Sequence, residues 1–158
     1  MIFSTKVPVK KSNFKIDHHS KIILLGSCFS ENIGSKLDDF KFQNFANPFG
    51  IIFNPISIEN LIRRAVLGID FTENDVFFHE DLWKCFEVHS QLNGQNKEGL
   101  LNHLNLVLND FRSQLLSASH LVITFLPKLG KCLIDNEFVF DSISHISYYK
   151  NIFDTSRI

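Results

Sequence analysis

A chain of 158 residues with a formal net charge of −1 fits one domain able to bury its own core, and so small a charge argues against a nucleic-acid partner. No apolar run approaches the roughly 18 residues of a membrane span, and the opening MIFSTKVPVKK lacks the continuous apolar segment of a secretory signal. Cys28, Cys85 and Cys132 are odd in number and widely spaced, which indicates neither a zinc site nor a disulfide framework; a cytoplasmic location is the default expectation. Residues 1–20 read as a polar lead-in containing Pro8 and the solvated pair His18–His19. Ile22–Leu25 is an apolar run short enough for a buried strand, and Gly26 breaks it. Phe29, Ile33, Leu37 and Phe40 then recur at helical spacing, so the spacing predicts a helix over 29–40. Phe42–Ala46 reads as a second, parallel strand delivered by a right-handed crossover. Asn47-Pro48-Phe49-Gly50 marks the loop after it. Ser57 is taken as the N-cap of a helix carrying Ile58, Leu61, Ile62, Ala65 and Val66, closed by Gly68.

Past that helix, His79, Glu80 and Asp81 are consecutive and so point in different directions, which argues against a metal site. Leu82–His89 reads as a strand or hairpin arm. Glu98–Ser117 carries the longest helical stripe, and Leu121–Phe125 is a β-branched apolar run suited to a third parallel strand. The expected fold is therefore α/β, three-layered, with a parallel sheet of the flavodoxin-like kind.

The arrangement has a chemical implication. Strand, glycine turn and helix place Ser27 and Cys28 beside free backbone N–H groups, where the helix dipole favours negative charge. A serine hydroxyl there can act as a nucleophile, and the N–H groups can hold an oxyanion. In a parallel sheet the Asn47–Gly50 loop falls on the same edge, where open α/β sheets bind ligands. Two other readings share this geometry: thiol chemistry at Cys28, since helix N-termini favour a thiolate, and a non-catalytic cradle for an anion or other ligand.

The residues GSCFSENIG at 26–34 resemble the opening motif of the GSCFA domain family, named for Gly-Ser-Cys-Phe-Ala, with Ser30 standing where the motif has Ala. Asn47-Pro48-Phe49-Gly50 followed by Asn54-Pro55-Ile56-Ser57, and Trp83 leading to His89-Ser90, are similar to later segments of that family. The family in turn resembles the SGNH, or GDSL-like, ester hydrolases. By that resemblance Ser27 is the nucleophile of an acyl-ester hydrolase. Cys28, Asn47 and a backbone N–H near Gly50 belong to the oxyanion and substrate-binding set, and His89 lines the site or serves as base. The implied substrate is a small-molecule or glycan acyl ester; no metal or organic cofactor is implied.

The resemblance holds over 20–124 and fails after Phe125, where Leu126-Pro127-Lys128 replaces a Gly-Thr step. Of a later Asn-Cys-His-Lys block, the stretch Ile143-Ser144-His145-Ile146 shares only the histidine. Three segments are accordingly expected: a lead-in over 1–20, a GSCFA-like α/β domain over 21–125, and a divergent tail over 126–158 that packs less well, as in a truncated or frameshifted product. Weak or absent hydrolysis of small esters is the matching expectation for activity.

Overall fold

The computed structural model describes residues 15–124, together with short strands at Leu133–Ile134, Glu137–Phe138 and Ile146–Tyr149. The apolar run becomes β1, Lys21–Gly26, which pairs in parallel with β2, Gln43–Ala46, on one side. On its other side it pairs in parallel with β5, His120–Thr124, in the register Ile22↔His120 through Gly26↔Thr124. The antiparallel hairpin of β3, Val76–His79, and β4, Leu82–Cys85, lies outside this sheet. Leu133–Ile134 and Glu137–Phe138 are β6 and β7, and Ile146–Tyr149 is β8. The main sheet runs β2-β1-β5-β8, with β8 antiparallel to β5. The architecture is α/β with a mostly parallel sheet, in line with the expected fold class. The expectation for the packing of residues 126–158 concerns side chains outside the described residues.

Alternation along β1 sorts the layers. Ile23 and Leu25, with Leu121 and Ile123 of β5, enter the main core with α2, Pro55–Leu67, and α3, Lys97–Ser117. Ile22 and Leu24 are equally buried on the opposite face, under α1, Cys28–Asp39. Two segments read from the sequence sit differently. α1 does not bury its bulky stripe: Phe29 and Phe40 are exposed, Ile33 and Leu37 are half-buried, and Ser30 and Gly34 face the sheet. A Cβ on Gly34 would lie 2.8 Å from the Ala46 Cβ, so the helix sits closer to β2 than larger residues allow. α2 begins earlier than Ser57. Asn54 is its N-cap, accepting from the Ile56 N–H at 3.0 Å, with Pro55 in the first turn; proline suits that turn because its missing N–H has no helical partner there anyway. Gly68 does end α2 in the left-handed conformation.

The hairpin turns through Glu80 and Asp81, both at positive φ, as a two-residue loop matching the twist of its strands requires. This is the structural role of the His79-Glu80-Asp81 run. Arg64 of α2 ties the hairpin down. It pairs with Asp75, donates from Nε to Glu87 at 2.8 Å and from Nη1 to the Asp70 carbonyl at 3.1 Å, and stacks over Phe71. Burial pushes the Asp75 carboxyl up, but the Thr72 N–H, the Thr72 hydroxyl and Arg64 outweigh it and hold Asp75 below the usual carboxylate range. A depressed folded-state value gives stability that is complete above the unfolded value of about 3.9 and is lost as pH falls through the folded one. Thermal melts from pH 7 down to about 2.5 are therefore expected to show a steeper acid-side loss for wild type than for Asp75→Asn. Parallel curves would remove Asp75 from the acid limb.

Candidate functional site

β2 lies to one side of β1 and β5 to the other, and the two connections cross opposite faces of the sheet. The strand order thus reverses between β1 and β5, and open α/β sheets bind ligands outside the carboxyl ends of the strands at such a point. Ser27 follows the end of β1, Thr124 is the last residue of β5, and the Asn47–Gly50 loop leaves β2 alongside.

Ser27 is the N-cap of α1, its Oγ accepting from the Phe29 N–H at 3.3 Å. It is buried, only 6% exposed. Cys28, the first helical residue, is exposed, and among the described residues nothing accepts from its N–H. The Ser27 hydroxyl is inside a chain of side chains. The Ser30 Oγ donates to the Leu25 carbonyl at 3.0 Å; the Ser30 and Thr124 hydroxyls are 2.8 Å apart, and those of Thr124 and Ser27 are 2.9 Å apart. A carbonyl only accepts, so the Ser30 proton points at Leu25. The Ser30–Thr124 contact then needs the Thr124 proton, and the Thr124–Ser27 contact needs the Ser27 proton. Thr124 Oγ1 also accepts from the Ser27 N–H at 3.0 Å, which saturates it. Thr124 and Ser30 escaped the sequence reading. Ser30 carried the one available signal, a hydroxyl at the alanine position of the motif.

Asn47 adopts φ 41°, a left-handed backbone that asparagine tolerates better than most residues. Its Oδ1 accepts from the Gly26 N–H at 2.8 Å and its Nδ2 approaches the Ser27 carbonyl at 3.4 Å, so the amide staples the glycine turn. The Gly50 N–H is likewise committed, donating to the Asn47 carbonyl at 2.8 Å; the next amide along, that of Ile51, has no acceptor among the described residues. His89 meets this loop. Its N–H donates to the Phe49 carbonyl at 3.0 Å, and a side chain at Gly50 would run into the His89 Cβ. Its ring Nδ1 accepts from the Gln91 N–H at 3.2 Å. In the neutral ring that bond leaves the proton on Nε2, a donor rather than a base. No hydrogen bond joins the ring to Ser27 among the described residues. A narrow apolar cleft lies below the loop, lined by Leu25, Gly26, Asn47, Phe49, Gly50, Ile52 and residues of α2; Ser27 does not line it. Among the described residues no group of three His, Cys, Asp or Glu could hold a metal ion.

Comparison with protein families matches residues 21–127, well over half the chain, to the GSCFA family. The chain belongs to the GSCFA family. No curated protein and no solved structure matches it. The matched segment of this GSCFA protein contains β1, α1 and the Asn47–Gly50 loop, and also the hairpin, α3 and β5. It therefore spans both strands of the switch point and every residue of the hydroxyl chain.

Proposed function

We propose that this GSCFA protein carries an acyl-ester hydrolase site of the SGNH kind, with Ser27 as nucleophile and a small-molecule or glycan acyl ester as substrate. The observation that carries this is the position of Ser27 as helix N-cap at the β1/β5 switch point, with the unpartnered Cys28 N–H beside it. Ser27 Oγ attacks the acyl carbonyl and its proton passes to a base. The Cys28 N–H holds the developing oxyanion, with the Ile51 N–H as the loop's candidate second donor. Collapse expels the alcohol, which takes up a proton, and water then releases the acid and restores Ser27. His89 lines the loop in this reading. Its neutral ring takes the proton from Ser27 only after giving up the Gln91 bond, at Nδ1 directly or at Nε2 after exchanging tautomers.

Wild type is expected to form one phosphonyl adduct with a serine-directed fluorophosphonate, located at Ser27 by peptide mass spectrometry, and Ser27→Ala none. The variant also loses its N-cap oxygen, worth about 1 kcal/mol, which leaves a protein of ordinary stability. Turnover of p-nitrophenyl acetate is expected to be weak, since removing one member of a catalytic triad typically lowers kcat on the order of ten-thousand-fold. Adducts that persist in Ser27→Ala overturn the assignment.

One observation favours a second reading. Cys28 is exposed where Ser27 is buried, so the same helix start offers a thiol nucleophile. Burial pushes the Cys85 thiol up, which leaves Cys28 the more available of the two. Turnover that survives in Ser27→Ala and is blocked there by iodoacetamide, but is lost in Cys28→Ser, favours the thiol. A cytoplasmic location belongs to the same proposal, supported by the free thiols of Cys28 and Cys85. Among the described residues no helix is long and apolar enough to cross a membrane.

A further inference from the structure

We infer that Thr124 is a positioning residue that parks the Ser27 hydroxyl in an inward, unreactive rotamer, so that Ser27 must leave Thr124 before it can attack. This deepens the hydrolase reading and, as regards reactivity, rests on it; the conformational statement does not. The argument is one of valence. In the observed rotamer the Ser27 proton is committed to Thr124 at 2.9 Å and one lone pair to the Phe29 N–H at 3.3 Å. Thr124 cannot take that proton over, because its own proton is held by Ser30, and the Ser30 proton ends on the Leu25 carbonyl. A backbone carbonyl is no proton sink at neutral pH, so the chain is an anchor and not a relay. A base approaching from the open side of the switch point meets a residue that is 6% exposed and a hydroxyl turned toward Thr124.

Thr124→Val removes the anchor at nearly constant volume. Ser27 keeps its backbone bond to the Thr124 carbonyl at 3.2 Å, and Ser30 keeps Leu25. The freed hydroxyl is expected to react with fluorophosphonate roughly threefold to tenfold faster, the factor expected when one neutral hydrogen bond no longer holds the resting rotamer. Thr124→Ser, which restores the hydroxyl, is expected to return the rate to within about twofold of wild type. Ser30→Ala supplies the alanine of the family motif. It leaves Thr124 free to donate to Leu25, now 3.5 Å away, and so leaves the Ser27 anchor in place and the rate close to wild type.

The second readout is the Ser27 Hα–Hβ couplings by NMR, expected to report one rotamer in wild type and Thr124→Ser and averaged rotamers in Thr124→Val. A folded Thr124→Val that labels at or below the wild-type rate with unaveraged couplings overturns the inference. Absence of labelling in every variant overturns the hydrolase reading instead, and the couplings alone then decide the parking: averaging in Thr124→Val supports it, and unchanged couplings reject it.

Discussion

Gly26→Ala is expected to yield insoluble protein, or soluble protein with no cooperative melt. Gly26 sits at φ 121°, a conformation that side chains resist. A Cβ there would overlap the Thr124 carbonyl oxygen and approach the Thr124 carbonyl carbon and Oγ1 to 2.9 Å. Both obstacles belong to the neighbouring strand, so relief requires β1 and β5 to separate at their carboxyl ends. That separation breaks the Ser27 N–H bonds to Thr124 and loosens the Asn47 staple on the Gly26 N–H. Strain of about 1–3 kcal/mol for the backbone alone, with the lost strand contact added, places the change in the exceptional class above about 4 kcal/mol. Folded domains hold only about 5–15 kcal/mol in total. Gly99→Ala is the control, because its Cβ would meet nothing closer than 3.7 Å near the start of α3. Soluble yield, circular dichroism and NMR dispersion read the outcome. A Gly26→Ala melt within a few degrees of wild type would show that the turn has more room than the structure gives it.

Phe49→Ala is the second large effect, expected at about 3–5 kcal/mol. Phe49 belongs to the site loop yet is 1% exposed. Its ring meets Phe111 edge-on at 5.5 Å and Phe71 at 6.4 Å, and its carbonyl receives the His89 N–H. The side chain therefore anchors the loop to α3, while the backbone carbonyl ties it to the segment that carries His89. Truncation leaves a cavity beside the cleft already lined by Phe49 and Ile52, so the cost includes a void as well as the lost transfer energy. The melting temperature is expected to fall on the order of 10–20 °C, with phosphonate labelling of Ser27 altered as the loop loosens. A fall of only a few degrees would mean that the loop is held by its backbone bonds alone.

The sequence made the central parallel strands, α1, α2 and α3 legible because each has an apolar rhythm or a glycine stop that survives in the folded chain. What it concealed has identifiable causes. β3 was hidden because VFFH is four residues long, lies among acidic neighbours and exposes Phe78. The buried face of α1 was hidden because close approach to a sheet selects small residues, so Ser30 and Gly34 face inward while the eye follows Phe29 and Phe40. The start of α2 was misplaced because Ser57 and Asn54 are both good caps, and only the proline after Asn54 distinguishes them. At the site, the Asn47–Gly50 loop could be set beside Ser27 from strand order, and His89 was added only by the family resemblance. Their hydrogen bonds could not be read in this way: Asn47 and Gly50 spend theirs on the turn, and the partner of the Ser27 hydroxyl is 97 positions away.

That same separation sets the order in which the molecule is made. β1 leaves the ribosome well before β5, and the bond from the Lys21 N–H to the Ser119 hydroxyl at the start of their pairing spans 98 positions. At about 5–20 residues per second, synthesis takes roughly 5–20 s to deliver the partner. Meanwhile one side of Ile22–Leu25 has β2, and the other is an open, apolar strand edge of the kind that pairs with foreign chains. Pairings of such long range also close slowly once both strands exist. The nascent protein is thus exposed to misassembly until Thr124 has emerged, and a holdase occupying that edge would raise its folded yield.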